Sequence, residues 1–151
     1  MNRRQVIRTL TLTALGTGSC LSSDTEIGNP TVAIRITKPI SIGQTLLFDN
    51  YLSITFSSLL YDKRCPINAK CTSEGNAEVK LRIKVGKDAA KNYWLHTSYR
   101  PRKLQIPWMN PVNGAVKTYV IDIATLDPLP YAGKKFPRSE YKVSFHIAEV
   151  I

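Results

Sequence analysis

The run Ala77-Glu78-Val79-Lys80-Leu81-Arg82-Ile83-Lys84-Val85 alternates apolar and charged residues without a break. Successive side chains of an extended backbone point to opposite faces, so this period of two makes a strand with one dry and one wet side. A dry side has to be covered, and the cover is a second layer of structure. The same alternation runs through Val32, Ile34 and Ile36, separated by Ala33 and Arg35. It returns in Tyr141, Val143, Phe145 and Ile147, with Lys142, Ser144, His146 and Ala148 between them, which predicts that His146 faces solvent. Further strand-like runs cover 51–60, 91–97 and 116–124, with Gly, Pro and Asn clusters separating them. No stretch reads as a long helix.

Six or seven such strands in residues 31–151 predict an all-β fold, a single antiparallel β-sandwich of the immunoglobulin-like, Greek-key kind. A closed barrel is the alternative, because alternation does not distinguish two stacked sheets from one that closes on itself. A domain of this size buries roughly two-thirds of its unfolded surface, which suffices for a core without metal.

The N-terminus reads as an address. Arg3-Arg4 precedes the short, mildly apolar run Leu10 to Gly18, which ends in Thr17-Gly18-Ser19-Cys20. This is the layout of an export signal of residues 1–19, with small residues before the cleavage point and Cys20 as the lipid-attachment residue. The run is far shorter than the roughly 20 residues of a membrane-spanning helix. Arg3-Arg4-Gln5-Val6-Ile7-Arg8 resembles a twin-arginine signal, with ordinary secretion as the other route. Residues 20–30, small and polar with Gly28 and Pro30 as breakers, read as a flexible tether, and the domain follows from 31 to 151. The expected location is the bacterial envelope, lipid-anchored and facing the periplasm or the exterior.

With Cys20 claimed by lipid, Cys65 and Cys71 are left as a pair in an oxidising compartment, and a disulfide between them is expected. The competing reading is zinc. Only His96 and His146 are available as further ligands, and the C-x5-C spacing is not typical of a zinc site. Neither a metal nor any cofactor is expected.

Removing residues 1–19 takes away three of the 21 basic residues, Arg3, Arg4 and Arg8, and none of the 11 acidic ones, so the net charge falls from +10 to +7. Lys80, Arg82 and Lys84 share one face of a strand, and Arg100, Arg102 and Lys103 follow close in sequence, with Tyr93, Trp94 and Trp108 nearby. If these segments meet, they form a cationic patch edged by aromatics that suits an anionic lipid, an acidic glycan or a negatively charged envelope protein. Nucleic acid fits the expected compartment poorly. Neither a G-x-S-x-G nor an H-E-x-x-H spacing is present, and Asp122 and Asp127 read as ladder-face and turn residues, so an enzyme is not expected. A hydrolase of unfamiliar design is the residual alternative.

The segment Asp62-Lys63-Arg64-Cys65-Pro66, then Cys71, Gly75 and Ala77, is followed by an alternating strand. Pro66 fixes a φ angle inside the ring, Gly75 accepts a positive φ, and Asp62 and Arg64 are placed to pair across the turn mouth. This run resembles a D-x-R-C-P-x4-C-x3-G-x-A motif of uncharacterised bacterial exported and lipid-anchored domains. The likeness extends to Leu126-Asp127-Pro128-Leu129-Pro130 and to Tyr141-Lys142-Val143-Ser144-Phe145. Members of that group often carry an aromatic soon after the second cysteine, where this chain has Thr72-Ser73-Glu74. The resemblance implies export and a β-sandwich, and it implies no activity. The reading is thus a non-catalytic binding module, with a protease inhibitor presenting Pro66 to Lys70 and Lys70 as its recognition residue as the alternative.

Overall fold

The computed structural model describes residues 32–151. The signal, Cys20 and the tether lie outside the described residues. Among the described residues nine strands form: β1 (Ile34–Ile36), β2 (Ile40–Ser41), β3 (Thr45–Phe48), β4 (Leu52–Arg64), β5 (Gly75–Val85), β6 (Lys91–His96), β7 (Lys103–Met109), β8 (Val116–Asp127) and β9 (Lys142–Val150). They build two antiparallel sheets, one in the order β1-β9-β8-β7 with β2 also on β9, the other in the order β3-β4-β5-β6. The chain is an all-β antiparallel sandwich. The two sheets share no strand, so the closed barrel does not form. Neighbours that are not consecutive in sequence occur where β1 and β2 return to β9; the other pairings are hairpins between successive strands.

The alternation in β5 works as its spacing dictates. Val79, Leu81, Ile83 and Val85 are buried between the sheets, against Ile54 and Phe56 of β4 and Ile121, Phe145 and Ile147 of the facing sheet. β4 keeps the same phase through Leu52, Ile54 and Phe56, then shifts register between Phe56 and Ser58 and again between Leu59 and Tyr61. Each bulge inserts one residue, and the first resets the pleat so that Leu59 still points inward.

Two runs behave differently from the simple pattern. In β1 all three residues are exposed, Ile34 at 66% and Ile36 at 68%, and Arg35 lays its guanidinium over the Phe48 ring, 5.7 Å from the centroid. β7 lies at an edge of its sheet. Its Leu104, Ile106 and Trp108 are buried and its Pro107 faces out, which an edge strand tolerates because only one side needs donors.

The sandwich has two unlike ends. At one, the β3–β4 turn at Asp49 meets the start of β8; at the other, the Cys65–Cys71 disulfide closes a loop between β4 and β5.

Candidate functional site, the outer face of the β3–β6 sheet

Because Val79, Leu81 and Ile83 point into the core, Glu78, Lys80, Arg82 and Lys84 must point out. Cross-strand register then decides their company. Lys80 lies between Ser58 and Trp94, Arg82 between Thr55 and Asn92, and Lys84 beside Ser53. β3 extends one row further, with the Thr45 and Thr55 hydroxyls 2.7 Å apart. Trp94 is 45% exposed, and the Lys80 ammonium sits 5.9 Å from its ring centroid, within cation–π range. Residues two apart on a strand are separated by about 6.8 Å, so the three cations form a regular column. Among the described residues, none of the three forms a salt bridge.

The column ends toward the disulfide at Glu78, which lies between Tyr61 and His96 in register. Beneath this row, Asn76 is almost fully buried. Its Oδ1 accepts from the backbone N–H groups of Ser98 (3.0 Å) and Tyr99 (3.2 Å), which commits its Nδ2 to the Tyr61 hydroxyl and to His96 Nδ1, each at 2.9 Å. His96 Nδ1 therefore accepts, and the ring proton belongs on Nε2, 3.9 Å from the Glu78 carboxylate. This network pins the β6–β7 connection at the border of the cationic face.

The six expected cations do not share one surface. The β6–β7 connection passes from one sheet to the other, so Lys103 opens β7 opposite Asp122 and points outward from the far sheet. Arg102 lines a cleft at the disulfide end, and Arg100 is exposed on the connection. The aromatic edging reduces to Trp94. Tyr93 packs on the core, and Trp108 is buried with its ring 4.4 Å from Tyr51.

His146 is half-buried, with Nδ1 3.2 Å from Asp122 Oδ1 on the outer face of the other sheet. Among the described residues no group of three or more His, Cys, Asp or Glu is placed to hold a metal ion. Cys65 and Cys71 are bonded to each other, with 6.0 Å between their Cα atoms.

The residues around the disulfide form a clamp. Arg64 donates from Nε and Nη2 to the two Asp62 oxygens at 2.8 and 2.7 Å, and from Nη1 and Nη2 to the carbonyls of Leu126 and Pro128 at 2.7 and 2.9 Å. Burial alone pushes the Asp62 carboxyl up, but the hydrogen bonds and charge of Arg64 outweigh it and hold it below the ordinary value. The Cys65–Cys71 loop is tied to 130–132 as well, through Ile67 N–H to the Pro130 carbonyl (2.9 Å) and Ala132 N–H to Asn68 Oδ1 (2.7 Å). The two distant segments, 62–71 and 126–132, are thus one structural unit. Gly75 adopts φ +71°, and a Cβ there would collide with the Lys63 carbonyl oxygen.

At the other end lies a network that sequence spacing does not reveal. Asp49, at φ +47°, accepts from Tyr51 N–H (2.7 Å), the Tyr119 hydroxyl (2.8 Å) and the Lys117 ammonium (3.1 Å). The ammonium stands 4.8 to 5.5 Å from the rings of Tyr119, Trp108 and Tyr51. Burial raises the Asp49 carboxyl, but these donors prevail and hold it low. Burial, aided by the Asp49 charge, pushes the Tyr119 hydroxyl up to about 12.

The chain matches no family model, and comparison with curated proteins and with solved structures gives no match either.

Proposed function

We propose that the chain is an exported, lipid-anchored module of the bacterial envelope that binds an anionic partner, an acidic glycan or an anionic lipid surface, on the outer face of the β3–β6 sheet. The observation that carries this reading is the column Lys80, Arg82 and Lys84 beside the exposed Trp94, with no carboxylate in a salt bridge to any of the three among the described residues. A strand that only needed a wet side would be served as well by mixed charges. Serine, threonine and asparagine on the flanking strands supply hydrogen-bonding groups beside the cations, as a polymer lying across the face requires. Basic groups near an anionic surface contribute about 1 kcal/mol each, so three give an attraction that is useful and sensitive to salt.

The address part of the reading is tested by intact mass. Protein from the membrane fraction is expected to begin at Cys20 and to carry diacylglycerol mass; full-length chain in the cytosol overturns it. The surface part is tested by binding to alginate and to phosphatidylglycerol vesicles. Lys80→Ala, Arg82→Ala and Lys84→Ala together are expected to cut affinity about 100-fold at low salt, and Trp94→Ala to weaken the glycan arm selectively. Retention unchanged in the triple variant overturns the surface.

A second reading rests on the clamped disulfide loop. A pre-ordered loop with Lys70 exposed is the form a protease-inhibiting loop takes. Slowing of trypsin without cleavage after Lys70 supports it, and rapid cleavage there disposes of it.

A further inference from the structure

β8 outlasts one of its partners. β7 pairs with it from Met109↔Val116 only to Lys103↔Asp122, whereas pairing with β9 continues from Ile123↔Phe145 to Asp127↔Lys142. Over Ile123–Asp127, β8 therefore has a strand on one side and, among the described residues, none on the other. These same five residues line a cleft of about 500 Å³ at the disulfide end, together with Arg64, Thr97, Ser98 and Arg102. The register shift between Ile123 and Thr125 leaves Ala124 without a β9 partner. A strand edge has main-chain donors and acceptors that a neighbouring strand would satisfy, and such an edge recruits extended chain.

Arg64 shows which way the edge looks. Its guanidinium, itself part of the cleft lining, donates to the carbonyls of Leu126 and Pro128, occupying the far end of the edge as a neighbouring strand would. The stretch Ile123 to Thr125 is not reached by this plug among the described hydrogen bonds. At the rim stand Ile67 and Leu129, both exposed apolar residues on loops held rigid by the disulfide clamp. Arg102, also in the lining, has no salt-bridge partner among the described residues.

We propose that this cleft takes an extended peptide segment of a partner protein, added alongside Ile123–Thr125 as the strand that β7 does not supply. Its chemistry follows from the walls: main-chain hydrogen bonds to β8, an apolar side chain against Ile67 and Leu129, and a carboxylate, from an acidic residue or a chain terminus, at Arg102. The proposal is independent of the cationic face. Strand addition draws affinity from the backbone and selectivity from alternate side chains, so the site reads a motif rather than a folded surface.

The test selects heptapeptides from a random library on the full chain. The hits are then synthesised as free acids, as C-terminal amides and as sets with one N-methyl group moved along the backbone. Binders with Kd of about 100 μM or tighter are expected, the range of a few main-chain bonds plus one apolar anchor. N-methylation at alternate positions should weaken binding about tenfold each and be tolerated at the positions between, because only every second N–H faces β8. Amide resonances of Ile123, Ala124 and Thr125 should shift, and Arg102→Ala should weaken whichever form, acid or amide, carries the needed carboxylate. Lys80→Ala with Arg82→Ala should leave peptide binding unchanged. No selected peptide, insensitivity to N-methylation, or shifts clustered around Trp94 would each overturn the proposal.

Discussion

The two ends of the sandwich each hold a carboxylate against a cation, yet they use it for different purposes. At the Asp49 end, Lys117 serves as a point charge enclosed by three aromatic rings, and the contact locks side chains of β7 and β8 onto the β3–β4 turn. At the disulfide end, Arg64 uses its planar fork on Asp62 and spends its remaining donors on two loop carbonyls 62 and 64 residues away. One cation consolidates a core; the other positions a backbone. The difference follows from the chemistry of the heads, since an ammonium has no fixed donor directions and a guanidinium has five.

The sharpest way to break the comparison is through the glycine at each end. Gly75→Ala puts a methyl group into the backbone of Lys63 and Arg64 at positive φ, and neither neighbour has room to retreat. A loss of about 4 kcal/mol is expected in urea unfolding. Gly86→Ala, at φ +57°, meets only the Trp108 indole at 2.7 Å. A side chain can shift, so about 2 kcal/mol is expected there, with a changed tryptophan emission. Equal losses at both ends would show that the disulfide end is not specifically dependent on backbone fit.

Next in size is removal of the cations. Arg64→Ala strands the Asp62 carboxylate, whose side chain is only 8% exposed, and two loop carbonyls, and should cost about 3 kcal/mol. Arg64→Lys should recover less than half, because one ammonium cannot reproduce the fork. Lys117→Ala leaves Asp49 with the Tyr119 hydroxyl and Tyr51 N–H, and about 1 kcal/mol is expected.

The comparison is sharpened further by pH dependence. Asp49 and Asp62 both titrate below the ordinary 3.8 in the folded chain. A depressed carboxyl stabilises fully above its unfolded value and ceases to do so as the pH falls through its folded one, so stability should decline below about pH 4. Asp49→Asn and Asp62→Asn should each flatten part of that limb. Tyr119 behaves in the opposite sense: raised from 10.0 to about 12, it stabilises fully below pH 10 and loses that contribution as the pH rises through 12. Tyr119→Phe should remove this alkaline limb in a denaturation series, and an unchanged limb would locate the titration elsewhere.

How much of this was legible in the sequence depended on whether the governing partners were near in the chain. β5 was readable because a central strand between β4 and β6 has its two faces decided by alternation alone. β1 has the same alternation, yet both of its faces are exposed. As a three-residue edge strand, it is oriented by its register with β9, which sequence spacing does not contain. β7 was hidden by Pro107, a residue that excludes a central strand but not an edge one. The Asp62–Arg64 pair and the positive φ of Gly75 were visible because both act within a tight turn. The bonds from Arg64 to Leu126 and Pro128 were not, and neither was Asp49, whose partners Lys117 and Tyr119 lie 68 and 70 residues on. The cationic column Lys80, Arg82 and Lys84 was apparent for the same reason as β5. Its separation from Lys103 was not, because the crossing of the β6–β7 connection is a property of the assembled sheets.

Pro107 has a bearing on colloidal behaviour. Lacking an N–H, it interrupts the row of donors along the outer edge of β7, and β1 at the sheet's opposite limit offers only three residues. Stacking of one molecule onto the next is thus disfavoured along β7 and β1, which leaves the short β8 edge beyond Asp122 as the stretch of that sheet open to an added strand.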